Sequence, residues 1–600
     1  VFDRSSVFGD VLDSPAGRRV LERHLPGVAA SPMAAQFRGI RLGQLVALVP
    51  ELEDPAARDR LWTALAEVGD GGSRPPYAPQ IAPDPGYEGS AVPRGRAGLA
   101  LPGPVPRWDA IEIRLDGPSH GNPFVDVELD AVFTRGGQQV RVGGFYDGDG
   151  VYLIRALADV EGEWAFVTRS TARSLDGVTG VIRVIAPREG SHGPVRADGF
   201  HFRHADGTRH RPLGTTAYAW THQPEALQEQ TLRTLAEAPF TKLRMCVFPK
   251  SYLYNASEPD DFPFPGSLAE GFDPTRFDPA HFRRLERRIA QLAELGIEAD
   301  LILFHAYDRW GFADLGPAVD DRYVRYVVRR LAAFSNVWWS LANEYDLVWS
   351  KDEADWERLA AIVGEEDPFG HLASIHNCRP FYDHSRPWIT HVSAQRVDVY
   401  RTAEETDRWR ERWGKPVVID ECAYEGDIDQ GWGSITGEEM VRRFWEGAVR
   451  GGYVGHGETY LPGPGEDEVL WWSKGGVLHG SSPDRIAFLD RLLAEAPDGV
   501  WEPLPSDWDV PWGGVAGSHL VGYFGFNRPR FRNLVLPEGE WRVEVIDTWN
   551  MTVEPVPGIH RASVRADLPG RPYMAVRCIL SPTPSPSFAE PTLIARAHTL

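Results

Sequence analysis

Residues 338–346 read TrpTrpSerLeuAlaAsnGluTyrAsp, and residues 416–422 read ProValValIleAspGluCys. Each is an apolar, β-branched or aromatic run of strand length that ends abruptly in a carboxylate, Glu344 in the first and Glu421 in the second. Burying an acid is costly, so a strand that ends in one needs a reason. Alternate strand residues share a face: Glu344 falls with Trp338, Ser340 and Ala342, and Glu421 with Val417 and Ile419. In a closed barrel those positions point into the lumen and bring both acids to one rim.

Outward from these two stretches, residues 199–500 alternate strand and helix signals, the pattern of parallel βα units. The strand candidates are 211–217, 240–248, 297–305, 337–344, 371–377, 388–392, 416–421 and 452–458, with amphipathic runs such as 282–295 between them. Eight strands match a (β/α)8 TIM barrel, in which chemistry sits at the carboxyl ends of the strands. Those ends carry Arg244, His305, Asn343, Glu344, His376, Asn377, His391, Glu421 and Glu458.

The rest of the chain differs in character. Residues 1–70 read as helices, with Ser14 and Pro15 at one start, and form a module suited either to assembly and docking on the barrel or to a stabilising appendage. Residues 71–106 are rich in Pro and Gly and read as a linker. Short alternating strands over 107–198 predict a β-sandwich, and β character returns over 501–580 as a second sandwich that would cap the barrel. The tail 581–600, opening SerProThrProSerProSer, reads as mobile or lying on the surface. The expected fold is therefore multidomain α/β and β: a central TIM barrel flanked by an N-terminal helical module plus β-sandwich and a C-terminal β-sandwich.

A chain of 600 residues exceeds one core, in keeping with several domains. Its 63 basic and 85 acidic residues leave a net charge of −22, which disfavours nucleic acid or an anionic membrane as partner. No apolar run approaches membrane-spanning length and the opening ValPheAspArgSerSer lacks the pattern of a secretion signal, so a cytoplasmic location is expected. Cys246, Cys378, Cys422 and Cys578 form no motif, which indicates neither a disulfide framework nor a cysteine zinc site. Homo-oligomerisation is left open.

Two carboxylates flanking one bond are what glycoside hydrolysis uses: one protonates the leaving oxygen and the other attacks or activates water. Asn343 is placed to hydrogen-bond a hydroxyl beside the reacting carbon, and Arg244 to keep Glu421 ionised; a structural salt bridge among these residues is the alternative. Trp310, Trp349, Trp471 and Trp472 follow strand ends, and one of them floors a sugar site while the others are core. His305, His376 and His391 either touch sugar or are hydrogen-bonded wall residues. Glu458 binds hydroxyls or pairs with a neighbouring loop. A three-histidine metal site is disfavoured because the two acids already account for the chemistry.

AsnGlu at 343–344, Glu421 within IleAspGlu and Arg244 on the second strand together resemble clan A of the glycoside hydrolases over residues 200–495. LeuGlyThrThrAlaTyrAlaTrp at 213–220, followed by PheThrLysLeuArgMet, is similar to the apiosidase-like group of barrels. AsnProPheValAspValGluLeu and GlyPheTyrAspGlyAspGly resemble the β-sandwich domain that often precedes them. The resemblance implies a retaining mechanism with Glu344 as acid/base and Glu421 as nucleophile, carboxyl groups about 5–5.5 Å apart, and no metal or organic cofactor. By analogy His391 would contact the nucleophile, and His305 and Asn377 the sugar. The expected activity is exo-acting release of a terminal pentose or furanose from oligosaccharides or small glycosides. A β-hexopyranosidase, a transglycosylase and a catalytically silent carbohydrate-binding protein are the alternatives.

Overall fold

The computed structural model describes residues 2–31, 34, 38, 40–52, 54–68, 80–252, 254–396, 401–461, 463 and 471–581. The expected mobile tail from 582 onward and the linker residues 71–79 lie outside the described residues. The chain divides into two compact units, residues 1–447 with 452–486, and residues 448–451 with 487–600.

The larger unit is built on eight parallel strands: β1 (Gly214–Thr216), β2 (Lys242–Cys246), β3 (Glu298–His305), β4 (Val337–Asn343), β5 (Ala373–Ser374), β6 (Val392–Gln395), β7 (Val417–Glu421) and β8 (Tyr453–His456). They are hydrogen-bonded in the order 5-4-3-2-1-8-7-6, and a parallel bridge from His376 to Ser393 joins the two ends. This is the expected TIM barrel. Helices follow each of the first seven strands except β5, whose connection to β6 carries none. The helix Pro279–Glu294 shows why they form: Asp278 accepts from the Ala280 N–H, Pro279 occupies the first turn, and Phe282, Leu285, Ile289 and Leu292 make one buried face.

Charge fills the lumen. Lys242 Nζ lies 2.6 Å from both Asp300 Oδ2 and Asp420 Oδ1, and Arg244 Nε stands 3.6 Å from Asp300. The Ser393 hydroxyl donates to the other Asp420 oxygen at 2.6 Å. On β7 it is therefore Asp420, with Val418 in the apolar layer below, that faces the lumen; the parity expected from Val417 and Ile419 is reversed. Glu421 still reaches the rim because it is the last strand residue, two positions before Ala423 turns the backbone left-handed at φ 66°. Below the charged layer a hairpin (Val195–Asp198, His201–His204) closes the barrel floor, packing Val195 and Phe202 on Trp338, Leu372, Val418 and Tyr453.

The N-terminal helices Phe8–Asp13, Pro15–His24, Leu42–Leu48 and Pro55–Val68 share a small core of Phe8, Val11, Leu21, Leu42, Leu45, Leu61 and Leu65. Gln44 Nε2 donates to the Ala306 carbonyl at 2.7 Å, which seats the third of these helices beside the end of β3. The strands of the region expected as the first sandwich join in one eight-stranded sheet, in which Gly98–Ala100 pairs with Ala110–Asp116, and Val105–Pro106 with Thr179–Ile185, so ordered strands begin inside the stretch expected as linker. Arg330 clamps this sheet to the barrel helices, reaching Asp147 at 2.7 Å and Glu286 at 2.5 Å.

The smaller unit is an antiparallel sheet of six strands with a separate two-stranded pair, Phe531–Val535 and Ser563–Asp567, around Phe524, Trp541, Val543 and Val576. Among the described residues no helix is long and apolar enough to cross a membrane.

Removing one partner from a buried ion cluster strands the others without compensation. Lys242→Met should therefore cost the barrel about 3–5 kcal/mol, read as a lower guanidinium midpoint of its unfolding transition. A loss under about 1 kcal/mol would mean that Arg244 alone neutralises both aspartates.

Candidate active site

The carboxyl ends of the strands surround a cavity of about 260 Å³, and both Glu344 and Glu421 line it. Glu344 follows the last residue of β4 in a left-handed conformation (φ 51°, ψ 58°), an uncommon backbone for a side-chain-bearing residue. Asn343 Nδ2 donates to Glu344 Oε2 at 3.3 Å, and the Tyr307 hydroxyl donates to the same oxygen. Across the cavity the Tyr218 hydroxyl donates to Glu421 Oε1 and lies 3.3 Å from Asn343 Oδ1. Arg244 ties the two halves together: Nη2 donates to Asn343 Oδ1 at 3.1 Å while Nη1 stands 3.4 Å from Glu421 Oε1. A continuous chain of hydrogen bonds thus runs from one glutamate to the other.

Burial pushes the Glu421 carboxyl up to about 8, and the Tyr424 hydroxyl opposes that rise. Arg244 does little to hold it down because its guanidinium is already shared with Asp300 and Asp420. Asp420, although buried, is held below the usual carboxylate range by Lys242 and Arg244. His376 Nε2 lies 3.6 Å from Glu421 Oε1, and burial together with Arg244 keeps the imidazole neutral. Lys250 is a buried cation in the cavity wall, its Nζ 3.6 Å from the Tyr218 ring centre, 4.5 Å from that of Tyr307 and 4.8 Å from that of Trp472. Burial lowers it to about 8.

Of the residues expected at the site, Asn343 and Trp472 line the cavity with the two glutamates. Arg244 and His376 stand directly behind Glu421, and Asn377 Oδ1 accepts from the Gln395 N–H at 3.3 Å. The others are elsewhere. His305 accepts from the Tyr307 N–H on Nδ1 and so donates from Nε2 to the Phe248 carbonyl, pinning two loops rather than facing the cavity. His391 precedes β6 at the floor of the barrel, against Phe202 and Trp338, because that strand begins four residues later than the run 388–392 suggests. Trp310 is packed on Phe262 and Phe312 and donates to Glu258 at 2.8 Å. Trp349 lines a neighbouring groove with Arg4 and Trp62, and Trp471 donates to Thr215 at 2.8 Å inside the barrel. Glu458 turns toward Glu425 and His456.

Cavity residues that the sequence reading missed include Tyr218, Lys250, Tyr307, Gln395, Tyr424 and Trp432. Tyr218 lies within the motif at 213–220 and Gln395 ends β6; the rest come from loops with no periodic signal.

A model of the apiosidase-like catalytic domain matches residues 196–487. A Bacteroides vulgatus ATCC 8482 protein described as a candidate glycoside hydrolase is 38% identical, with a TM-score of 0.76 over 80% of this chain and 100% of its own. The chain belongs to the glycoside hydrolases, and its barrel is similar to the apiosidase-like catalytic domain. Two domains of unknown function, DUF5060 and DUF5605, match residues 104–171 and 508–579 of this glycoside hydrolase. A family 5 glycoside hydrolase from the same organism shares the fold at 15% identity and a TM-score of 0.52, over 65% of this chain and 93% of its own. No curated protein matches the chain.

Gly457 keeps the Tyr424 ring in place beside Glu421: a Cβ there would stand 2.3 Å from the ring. Gly457→Ala in the hydrolase should cost about 1–3 kcal/mol by overpacking, measured by thermal unfolding. In a Tyr424→Ala background the same glycine substitution should cost less, and an equal cost in both backgrounds would place the strain elsewhere.

Proposed function

We propose that this glycoside hydrolase is retaining and exo-acting, releasing a terminal sugar by double displacement. The observation that carries the proposal is that the two strand-end glutamates line one cavity, linked through Asn343, Arg244 and Tyr218. Protonated Glu344 donates to the glycosidic oxygen while Glu421 attacks the anomeric carbon, giving a covalent glycosyl ester and the free aglycone. Glu344, now a carboxylate, takes a proton from water as that water attacks the same carbon, and Glu421 leaves with the sugar released. Asn343 meets the hydroxyl next to the reacting carbon, and Trp472 provides an apolar face for the ring.

A cavity of about 260 Å³ is at the small end of ligand pockets. The N-terminal residues Ile40, Gln44 and Leu48 wall it on one side, which favours a blind pocket for one terminal residue over an open groove. Its size and the family resemblance favour a pentose or furanose glycone. A β-hexopyranoside substrate or transfer to an acceptor sugar is the second reading, favoured by the cation of Lys250 and the amides of Gln395 and Gln430, polar groups enough for a larger ring.

Glu344→Gln and Glu421→Gln should each lower kcat by about 10³-fold or more on a nitrophenyl glycoside while leaving the circular dichroism spectrum unchanged. NMR of the first-formed product should show the anomer of the substrate. Inversion, or a Glu421 variant within tenfold of wild type, would overturn the assignment. Furanosides and pyranosides in one panel separate the two glycone readings.

The buried carboxyl sets a second expectation. One limb of kcat/KM against pH should lie near 8, where Glu421 titrates. Tyr218→Phe removes a hydrogen bond that favours the carboxylate, so that limb should move to higher pH; a limb that stays put assigns it to another group.

A further inference from the structure

Behind the cavity wall, the end of β8 and the loops after β7 and β8 bring together three buried side chains that the proposed cycle does not use: Glu425, His456 and Glu458. One ligand atom from each lies within 4.8 Å of the others. His456 Nε2 and Glu458 Oε1 are buried without a hydrogen-bond partner, 3.5 Å apart, on side chains that are 0% and 1% exposed. A fully enclosed imidazole nitrogen facing an unsatisfied carboxylate oxygen is a costly arrangement if nothing lies between them.

The surroundings prepare the group for a cation. Thr215 Oγ1 lies 2.9 Å from His456 Nδ1, and Phe240 stacks on the ring at 4.6 Å, which fixes Nε2 toward the acids. Glu425 is oriented by Ser481, Ser482 and Tyr460, and Glu458 by the His479 N–H at 2.7 Å. Among the described residues neither carboxylate is ion-paired with a lysine or arginine, so two acids converge with a single imidazole to balance them. Gly480 keeps the remaining side clear. A Cβ there would stand 2.4 Å from Glu458 Oε1 and 2.6 Å from Glu425 Oε2, and its φ does not itself require glycine.

We propose that Glu425, His456 and Glu458 form a structural site for one divalent transition-metal ion. One imidazole with two carboxylates suits Zn²⁺ or Mn²⁺ better than Ca²⁺ or Mg²⁺, which prefer oxygen ligands alone. The ion ties the loop that starts at Tyr424 to the end of β8, and so fixes the wall that faces Glu421. Its role is to hold the pocket; it touches neither glutamate of the proposed cycle, and the site stands whether or not those roles hold.

The test uses the full-length protein, stripped with EDTA, dialysed and titrated calorimetrically with ZnCl2 or MnCl2. One equivalent should bind per chain and raise the melting temperature by about 3–5 °C. His456→Ala and Glu458→Gln should each weaken binding by about tenfold or more. Absence of both heat and melting shift with either ion at millimolar concentration overturns the site, and that result needs no variant to fold. Binding left intact by both substitutions, or seen with CaCl2 alone, overturns it equally.

Discussion

The barrel depends on a neutral set of four charges sealed in its lumen. Lys242 and Arg244 from β2 meet Asp300 from β3 and Asp420 from β7, so strands on opposite sides of the barrel are held in one register by the need to leave no ion uncompensated. Register follows because a shift of one residue would turn each charge to the helix layer and an apolar residue inward. Arg244 then projects one step above Lys242, and its guanidinium reaches Asn343 and Glu421 at the rim. The same arginine that balances the core therefore aligns the candidate catalytic pair.

That shared use explains the electrostatics of the rim. A guanidinium spent on two aspartates has little left for a third carboxylate, and burial then prevails at Glu421. The hydroxyls of Tyr218 and Tyr424 and the neutral ring of His376 supply direction without net charge. Both rim glutamates also sit where the backbone leaves the strand abruptly, Glu344 itself being left-handed and Ala423 following Glu421 by two. Such conformations cost free energy and persist where surrounding contacts over-determine them, here the hydrogen bonds that tie Tyr345 to His376 and Leu347 back to Glu344.

Much of this was legible in the sequence, for definite reasons. Parallel strands buried on both faces produce continuous apolar runs, so Val337–Asn343 and Val417–Glu421 stand out, and an acid at the end of such a run is conspicuous. Periodicity failed where that signal fades. β5 has two residues and β6 reads ValSerAlaGln, so the more apolar TrpIleThrHisVal drew the strand upstream and made His391 a rim residue in place of Gln395. Inward and outward parity on β7 was misassigned because both faces are apolar apart from Asp420, and only the partner Lys242, distant in sequence, decides which way it points. Tryptophans after strand ends carried no more information than their number, since Trp310 and Trp471 are core and Trp472 alone of the four lines the cavity.

The N-terminal helices show a different limit. Among the described residues of 1–68 no constellation of acids, bases or nucleophiles forms, and nothing in their composition connects them with a reaction. Their contribution is steric: Gln44 anchors one helix at the end of β3, and Ile40 and Leu48 then complete a wall that the barrel loops leave open. A wall of that kind carries no chemical signature, yet under the proposed function it would limit how many sugar residues fit beyond the scissile bond. Under the same proposal the barrel would fix where a bond is broken, while segments far away in sequence would determine which glycoside can present one. On that reading substrate choice can change by altering residues 40–48 with the lumen cluster and the rim glutamates untouched, because the partners that hold those charges come from the barrel itself.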